Sequence, residues 1–213
     1  MKAFVIYIDV PESIQVAEKC VASGKKYGVD VELYKGYTPN DRPLKMAEEL
    51  NIPLKNFTEK YSRFENCLSA FLSHRSLWEL SMNNNEEVLI LEHDAIFIDE
   101  IPKDVPYKGV LSFGAPSYGK FTTPPTLGIN KLVSKEYLPG AHAYMVHPRV
   151  VPKLLRACET IAGPTDLFLS NVNFNFIEEY YPWKVIARDD FSTIQNERGC
   201  VAKHRYGKNY KIL

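Results

Sequence analysis

Apolar residues recur along this chain with two different periods, and the period switches every ten to twenty residues. Residues 3–9 (AFVIYID) are nearly continuous in apolar character and read as a first strand that ends on an acid. From Ser13 to Tyr27 the period lengthens. Ile14, Ala17, Val21 and Ala22 fall on one side of a helix, with Gly28 as its stop. Val29–Tyr34 reads as a second strand. Short helical potential follows around Leu44–Leu50, broken up by Pro39, Pro43 and Pro53. The clearest helix is Glu65–Ser81, where Cys67, Ala70, Phe71, His74, Leu77, Trp78 and Ser81 share a face and Asn83-Asn84-Asn85 ends the run. At Val88 a continuous apolar strand begins, VLILEHDAIFI to Ile98, of the kind covered on both faces in a parallel sheet.

Strand, helix, strand, helix, strand is the βαβ pattern, which predicts an α/β fold with a mostly parallel central sheet flanked by helices. Gly109–Ala115 extends it by a strand. Pro116 to Pro139 has no period and is rich in Pro, Gly, Thr and Tyr, so Tyr118 and Lys120 are candidates for a lid or for an ordinary surface loop. Ala141–Val146 reads as a strand, and Pro148–Thr160 as a helix with Val151, Leu154, Leu155 and Cys158 on one face. A shorter helix opens near Thr165-Asp166, then comes a Trp183–Ala187 strand. A basic tail over about 198–213 contains Lys203, His204, Arg205, Lys208 and Lys211. No repeat and no domain boundary is visible, and residues 1–213 are expected to form a single domain.

Composition narrows the function classes. Lys plus Arg equals Asp plus Glu at 26 each, so no global field draws the chain to nucleic acid or an anionic membrane. The four cysteines are far apart, with no C-x-x-C pair, against a zinc cluster or a disulfide scaffold. The first apolar run stops at Asp9 and Pro11, too soon for a signal peptide or a membrane span. A cytoplasmic protein is expected, with any membrane association peripheral.

Glu92-His93-Asp94 carries the first candidate chemistry. On an extended backbone Glu92 and Asp94 would project together and His93 would face away. Two neighbouring carboxylates need a cation, a proton or solvent. A hard divalent ion on phosphate oxygens satisfies them and makes chemistry. The alternative is a strand running out into a solvated acidic turn.

The order of motifs then matters more than any one of them. Residues 66–78, NCLSAFLSHRSLW, resemble the G-C-x-x-S-H-x-x-x-W helix of family 25 glycosyltransferases, the lipooligosaccharide and collagen galactosyltransferases. Leu89 to Ala95 (LILEHDA) is similar to that family's L-I-L-E-D-D-A strand. Gly140 to Val146 (GAHAYMV) resembles its G-T-H-A-Y-x-I, Lys153-Leu154-Leu155 its K-x-L-L, and Gly163-Pro164-Thr165-Asp166 its P-x-D. The opening VIYID is similar to the family's V-I-N-L-D. Three departures stand out: no arginine soon after the first strand, Lys35 in place of an acid before Gly36, and His93 in place of Asp.

The resemblance implies a GT-A-like fold and an inverting transferase. It would move a hexose, galactose or glucose, from a UDP-sugar to a hydroxyl of a glycan, as in lipopolysaccharide biosynthesis, using Mn2+ or Mg2+. On that reading Asp94 and Glu92 bind the metal, and His204 completes its shell or is part of a solvated tail. Glu92, Tyr144 and Lys203 contact the nucleotide sugar, and Asp9 either contacts it too or is a strand-terminal turn residue. Asp166 is the general base, or a helix cap. His142 lies in the substrate cleft beside Tyr144, or is a core histidine; His74 and His93 are structural. The rivals are a non-catalytic nucleotide-sugar-binding protein, a transferase acting on a protein or a modified nucleic-acid base, and a metal-dependent phosphoesterase.

Overall fold

Alternation along the central strands sends successive residues to two separate cores. In β1 (Lys2–Tyr7) and β3 (Val88–Glu92), Phe4, Val88 and Ile90 face one core, while Ala3, Val5, Leu89 and Leu91 face the other. The structure, a computed structural model, describes residues 1–58, 62–117, 119–138, 141–188, 191–195 and 211–213.

The second core is closed by α1 (Pro11–Lys26), which buries Ala17 and Cys20. Pro11 starts this helix where a missing N–H costs nothing, and Gly28, at φ 73°, turns the chain out of it. The first core is closed by α3 (Phe64–Asn84), α4 (Val151–Ile161) and the short α5 (Thr165–Phe168). Phe71 sits edge-on to Trp78 at 5.8 Å and to Phe168 at 5.4 Å, and Trp78 stacks on Phe168 at 5.6 Å. Burying each such ring contributes roughly 1.5–3 kcal/mol. The predicted face of α3 is buried, with Ala70 half-buried, but Leu68 and Leu72 join the same core, and Ser69 and Ser73 are buried as well, Ser73 against residues 36–37.

The remaining elements are β2 (Val31–Lys35), α2 (Pro43–Glu49), β4 (Ala95–Phe97), β5 (Val110–Ser112), β6 (Gly128–Lys131), β7 (Ala143–Val146), β8 (Ile177–Tyr181), β9 (Val185–Ala187), β10 (Phe191–Ser192) and β11 (Lys211–Ile212). The main sheet has seven strands in the order β2-β1-β3-β7-β5-β8-β6. β2, β1, β3, β5 and β8 run one way, and β7 and β6 run against them. The fold is the expected α/β class, with a mostly parallel sheet between helices.

Two features differ from the sequence reading. The run Val88–Ile98 is not one strand: residues 93–94 form a turn, and β4 leaves the main sheet to pair antiparallel with β9. The stretch Ile177–Tyr181, unassigned above, is a sheet strand with Glu178 and Glu179 buried. Glu179 accepts hydrogen bonds from the backbone N–H groups of Val133 (2.7 Å) and Ser134 (2.8 Å), and Glu178 from that of Lys108 (2.7 Å). Carboxylates so bonded can be buried in a strand. Cys20, Cys67 and Cys158 are buried, and burial pushes the Cys20 and Cys158 thiols up to about 12. No helix among the described residues is long and apolar enough to cross a membrane.

Candidate functional site

β1 and β3 are adjacent and parallel, so their carboxyl ends open on the same side, where open α/β sheets bind ligands. A cleft of about 180 Å³ lies there. Its walls are Ile6 to Ile8 at the carboxyl end of β1, residues 37–39, the α3 face with Asn66, Ser69, Ser73 and His74, the Glu92-His93-Asp94 segment, and residues 191–195. Gly36 lets the chain after β2 pass close by: an added Cβ would stand 2.8 Å from Ile6 Cγ2 and 3.0 Å from Ser73 Oγ. Ser73 Oγ in turn accepts from the Tyr37 N–H at 2.8 Å and donates to the Ser69 carbonyl at 2.8 Å.

All three residues of the triplet line this cleft, and each is half-buried. That corrects the expectation for His93. Because the backbone turns at 93–94 rather than running on extended, its ring is part of the cleft wall. Its Nδ1 stands 2.9 Å from the buried Ser13 Oγ, and its ring lies 5.0 Å from that of Phe191.

Glu92 is backed by a buried relay. The Trp78 indole N–H donates to Tyr144 Oη at 2.9 Å, leaving the Tyr144 hydroxyl proton to go to His74 Nδ1, also 2.9 Å away. The His74 proton then sits on Nε2, which faces Glu92 Oε1 at 3.4 Å. Burial, the dominant effect, pulls the His74 pKa down to about 3 against a smaller opposing pull from Asp166, so the ring stays neutral. His74 is therefore the satisfied buried histidine expected, and it also borders the cleft.

Tyr144, expected against the nucleotide sugar, is fully buried behind His74 instead; burial also holds its phenol well above the ordinary range. His142 is buried too, and does not line the cleft. Its carbonyl accepts from the Glu92 N–H at 3.1 Å, and its ring covers Gly114, where an added Cβ would come within 2.6 Å of Nε2. The strand pairing β3–β7 explains both positions: it carries the 142–146 segment into the sheet beside the triplet's stem rather than over the opening.

Asp9 is exposed and paired with Lys35 at 3.0 Å, one residue beyond the cleft wall. Asp166 is half-buried on the first turn of α5, with Oδ1 accepting from the Leu167 N–H at 3.0 Å; it lies outside the cleft wall. Lys203, His204, Tyr118 and Gly140 lie outside the described residues. Ser13 and the 191–195 segment are the parts of the site that sequence reasoning missed. Arg63 and Asn66 hold that segment: the Arg63 N–H donates to the Ile194 carbonyl at 2.7 Å, and Asn66 Nδ2 to the Thr193 carbonyl at 2.9 Å. Nothing in its residue types marks it.

Among the described residues no three His, Cys, Asp or Glu side chains are grouped to hold a metal ion. The donor chemistry nevertheless fits one class of ion. Glu92 and Asp94 supply two carboxylates at one opening, and Mg2+-type ions at phosphate sites take one or two carboxylates plus water and substrate phosphate oxygens rather than an all-protein cage.

The model of glycosyltransferase family 25 (LPS biosynthesis protein) matches residues 15–108, a stretch that includes α3 and the triplet. No curated protein matches the chain. Among solved structures, the chain is similar to the glycosyltransferase GlyE of Streptococcus pneumoniae TIGR4, at 10% identity and TM-score 0.44, covering 85% of this chain and 45% of that one. It is similar to the CTP:phosphocholine cytidylyltransferase of Streptococcus pneumoniae at 10% identity and TM-score 0.45, covering 88% and 92%. It is also similar to mouse xyloside xylosyltransferase 1 at 9% identity and TM-score 0.41, covering 83% of each. The chain thus spans under half the length of the first of these.

Proposed function

From a chain that matches glycosyltransferase family 25 over residues 15–108, we propose an inverting hexosyltransferase that moves galactose or glucose from a UDP-sugar to a glycan hydroxyl. The observation that carries this reading is the placement of Glu92 and Asp94 together on a turn at the carboxyl end of β3, inside the matched stretch and facing a cleft. The nucleotide sugar would lie across the ends of β1 and β3 with its diphosphate at the triplet.

Asp94 and Glu92 would hold a bound Mn2+ or Mg2+, which when present neutralises charge developing on the diphosphate. The His74 relay keeps the Glu92 carboxylate in one orientation. In the transfer step the acceptor oxygen bonds to the anomeric carbon, the bond from that carbon to the diphosphate breaks, and UDP leaves with the bonding pair. The hydroxyl proton goes to a base; Asp166, outside the cleft wall but close enough to His74 to act on its charge, is the candidate. The 191–195 segment, packed on the His93 side of the opening, would exclude water from the leaving group.

A thermal-shift panel of UDP-galactose, UDP-glucose and other nucleotide sugars tests this. A ligand at a hundred times its Kd adds about 2.7 kcal/mol of stability, which for a domain of this size raises Tm by roughly 5–10 °C. The expected result is such a rise for a UDP-hexose with Mn2+, removed by EDTA, and UDP release when a glycan acceptor is added. No shift with any nucleotide sugar would overturn the reading; a shift without UDP release would favour a binding protein.

A further inference from the structure

Ser13 occupies a position in which its hydroxyl proton has one destination. The side chain is fully buried, at the start of α1, and its Oγ accepts the Ile8 backbone N–H at 3.0 Å. The same oxygen lies 2.9 Å from His93 Nδ1. A buried hydroxyl that already accepts one hydrogen bond keeps its proton for the next acceptor. Donation to Nδ1 places the imidazole proton of His93 on Nε2, on the side of the ring away from Ser13. His93 lines the cleft and Ser13 does not, and the Nε2 edge lies on the side of the ring opposite the Ser13 contact. Phe191, 5.0 Å from the ring, backs it, and rotating the ring would break the Ser13 bond.

We propose that His93 is a hydrogen-bond donor, through Nε2, to a phosphate oxygen of a bound nucleoside diphosphate, and that it is not a metal ligand. Metals bind imidazole through a nitrogen lone pair. Here the Nδ1 lone pair is engaged by Ser13, and Nε2 carries the proton. A phosphate oxygen is the matching partner because His93 stands between the two carboxylates that would hold the cation, so the oxygens that reach the cation also pass the imidazole. Ionised carboxylates only accept hydrogen bonds. Histidine at this position supplies the donor they lack and takes one negative charge off a turn that faces a diphosphate. Ser13 is a positioning residue that acts by fixing the tautomer.

This inference rests on the function proposed above, and calorimetric titration with UDP and with uridine, both with Mn2+ present, separates the two. A hydrogen bond to a charged oxygen corresponds to about a tenfold change in Kd or more. His93→Leu should weaken UDP about tenfold while leaving uridine, and Mn2+ alone followed by water-proton relaxation, unchanged. His93→Gln, whose amide N–H reaches a similar point, should stay within about threefold of the wild type. Long-range 1H–15N spectra should show the His93 proton on Nε2, and Ser13→Ala should mix the tautomers. Unchanged UDP binding in His93→Leu, equal loss of uridine, loss of Mn2+ affinity, or a proton on Nδ1 would each overturn the assignment. A wild-type protein that binds no UDP would overturn the proposed function and this inference with it.

Discussion

Asp94→Asn should reduce UDP release from a UDP-hexose by on the order of 10²–10³-fold, with little change in Tm. The magnitude is that of removing one preorganised group facing charge that develops in the transition state. Asparagine keeps the shape of the side chain but loses the anionic oxygen that a hard cation requires. The fold should tolerate it, because Asp94 is half-buried on a turn and the backbone bond that ties the turn to the chain after β9, from the Arg188 N–H to the Asp94 carbonyl at 3.0 Å, does not involve the side chain. Steady-state UDP release alongside thermal unfolding checks both halves. Activity within a factor of three of the wild type would remove Asp94 from the site.

Tyr144→Phe should cost about 2–6 kcal/mol in urea unfolding and also lower turnover. One oxygen is deleted, but two buried groups lose their shared partner: the Trp78 indole N–H and His74 Nδ1. Each unsatisfied buried group costs about 1–3 kcal/mol. No water replaces the hydroxyl readily, since Tyr144 and Trp78 are fully buried and His74 nearly so. With Nδ1 unsatisfied, His74 no longer has a fixed proton on Nε2 to present to Glu92. Turnover should therefore fall more than substrate affinity does. A loss of stability under about 0.5 kcal/mol would show that the relay is not what orders this part of the core.

The elements legible in the sequence are those whose burial is one-sided or complete. β1, α3 and β3 announce themselves because apolar residues mark where they lie, whereas α1 was placed but its face was misread: it buries Ser13, Ala17, Cys20 and Gly24, with Ile14 and Val21 half-buried and Ala22 exposed. β8 was missed for the opposite reason. Its two adjacent glutamates read as solvated, and it takes backbone donors at residues 108, 133 and 134, the Lys108 ammonium and the Trp183 indole N–H to make their burial tolerable. β6 hides inside a segment with no period for a related reason: it sits at the sheet edge, paired on one side only with β8.

The site divides the same way. That Glu92 and Asp94 face one opening was readable from residue types and motif order, although the assumed extended backbone was replaced by a turn. The error fell on His93, whose direction depends on that backbone. Tyr144 shares the motif with His142, yet its place behind His74 depends on which face of β7 meets α3, and this is a tertiary fact. Ser13 is eighty positions from His93, and nothing local in either residue foretells their contact.

The central claim is that the Glu92-His93-Asp94 turn is where a nucleotide sugar's diphosphate and its cation meet the protein. Crystals grown with UDP and Mn2+, with diffraction recorded at the manganese absorption edge, test it most directly. The account predicts one anomalous peak within coordination distance, about 2.0–2.6 Å, of Asp94 and next to diphosphate oxygens. UDP bound with no anomalous peak at the triplet, or a peak elsewhere on the chain, would contradict it.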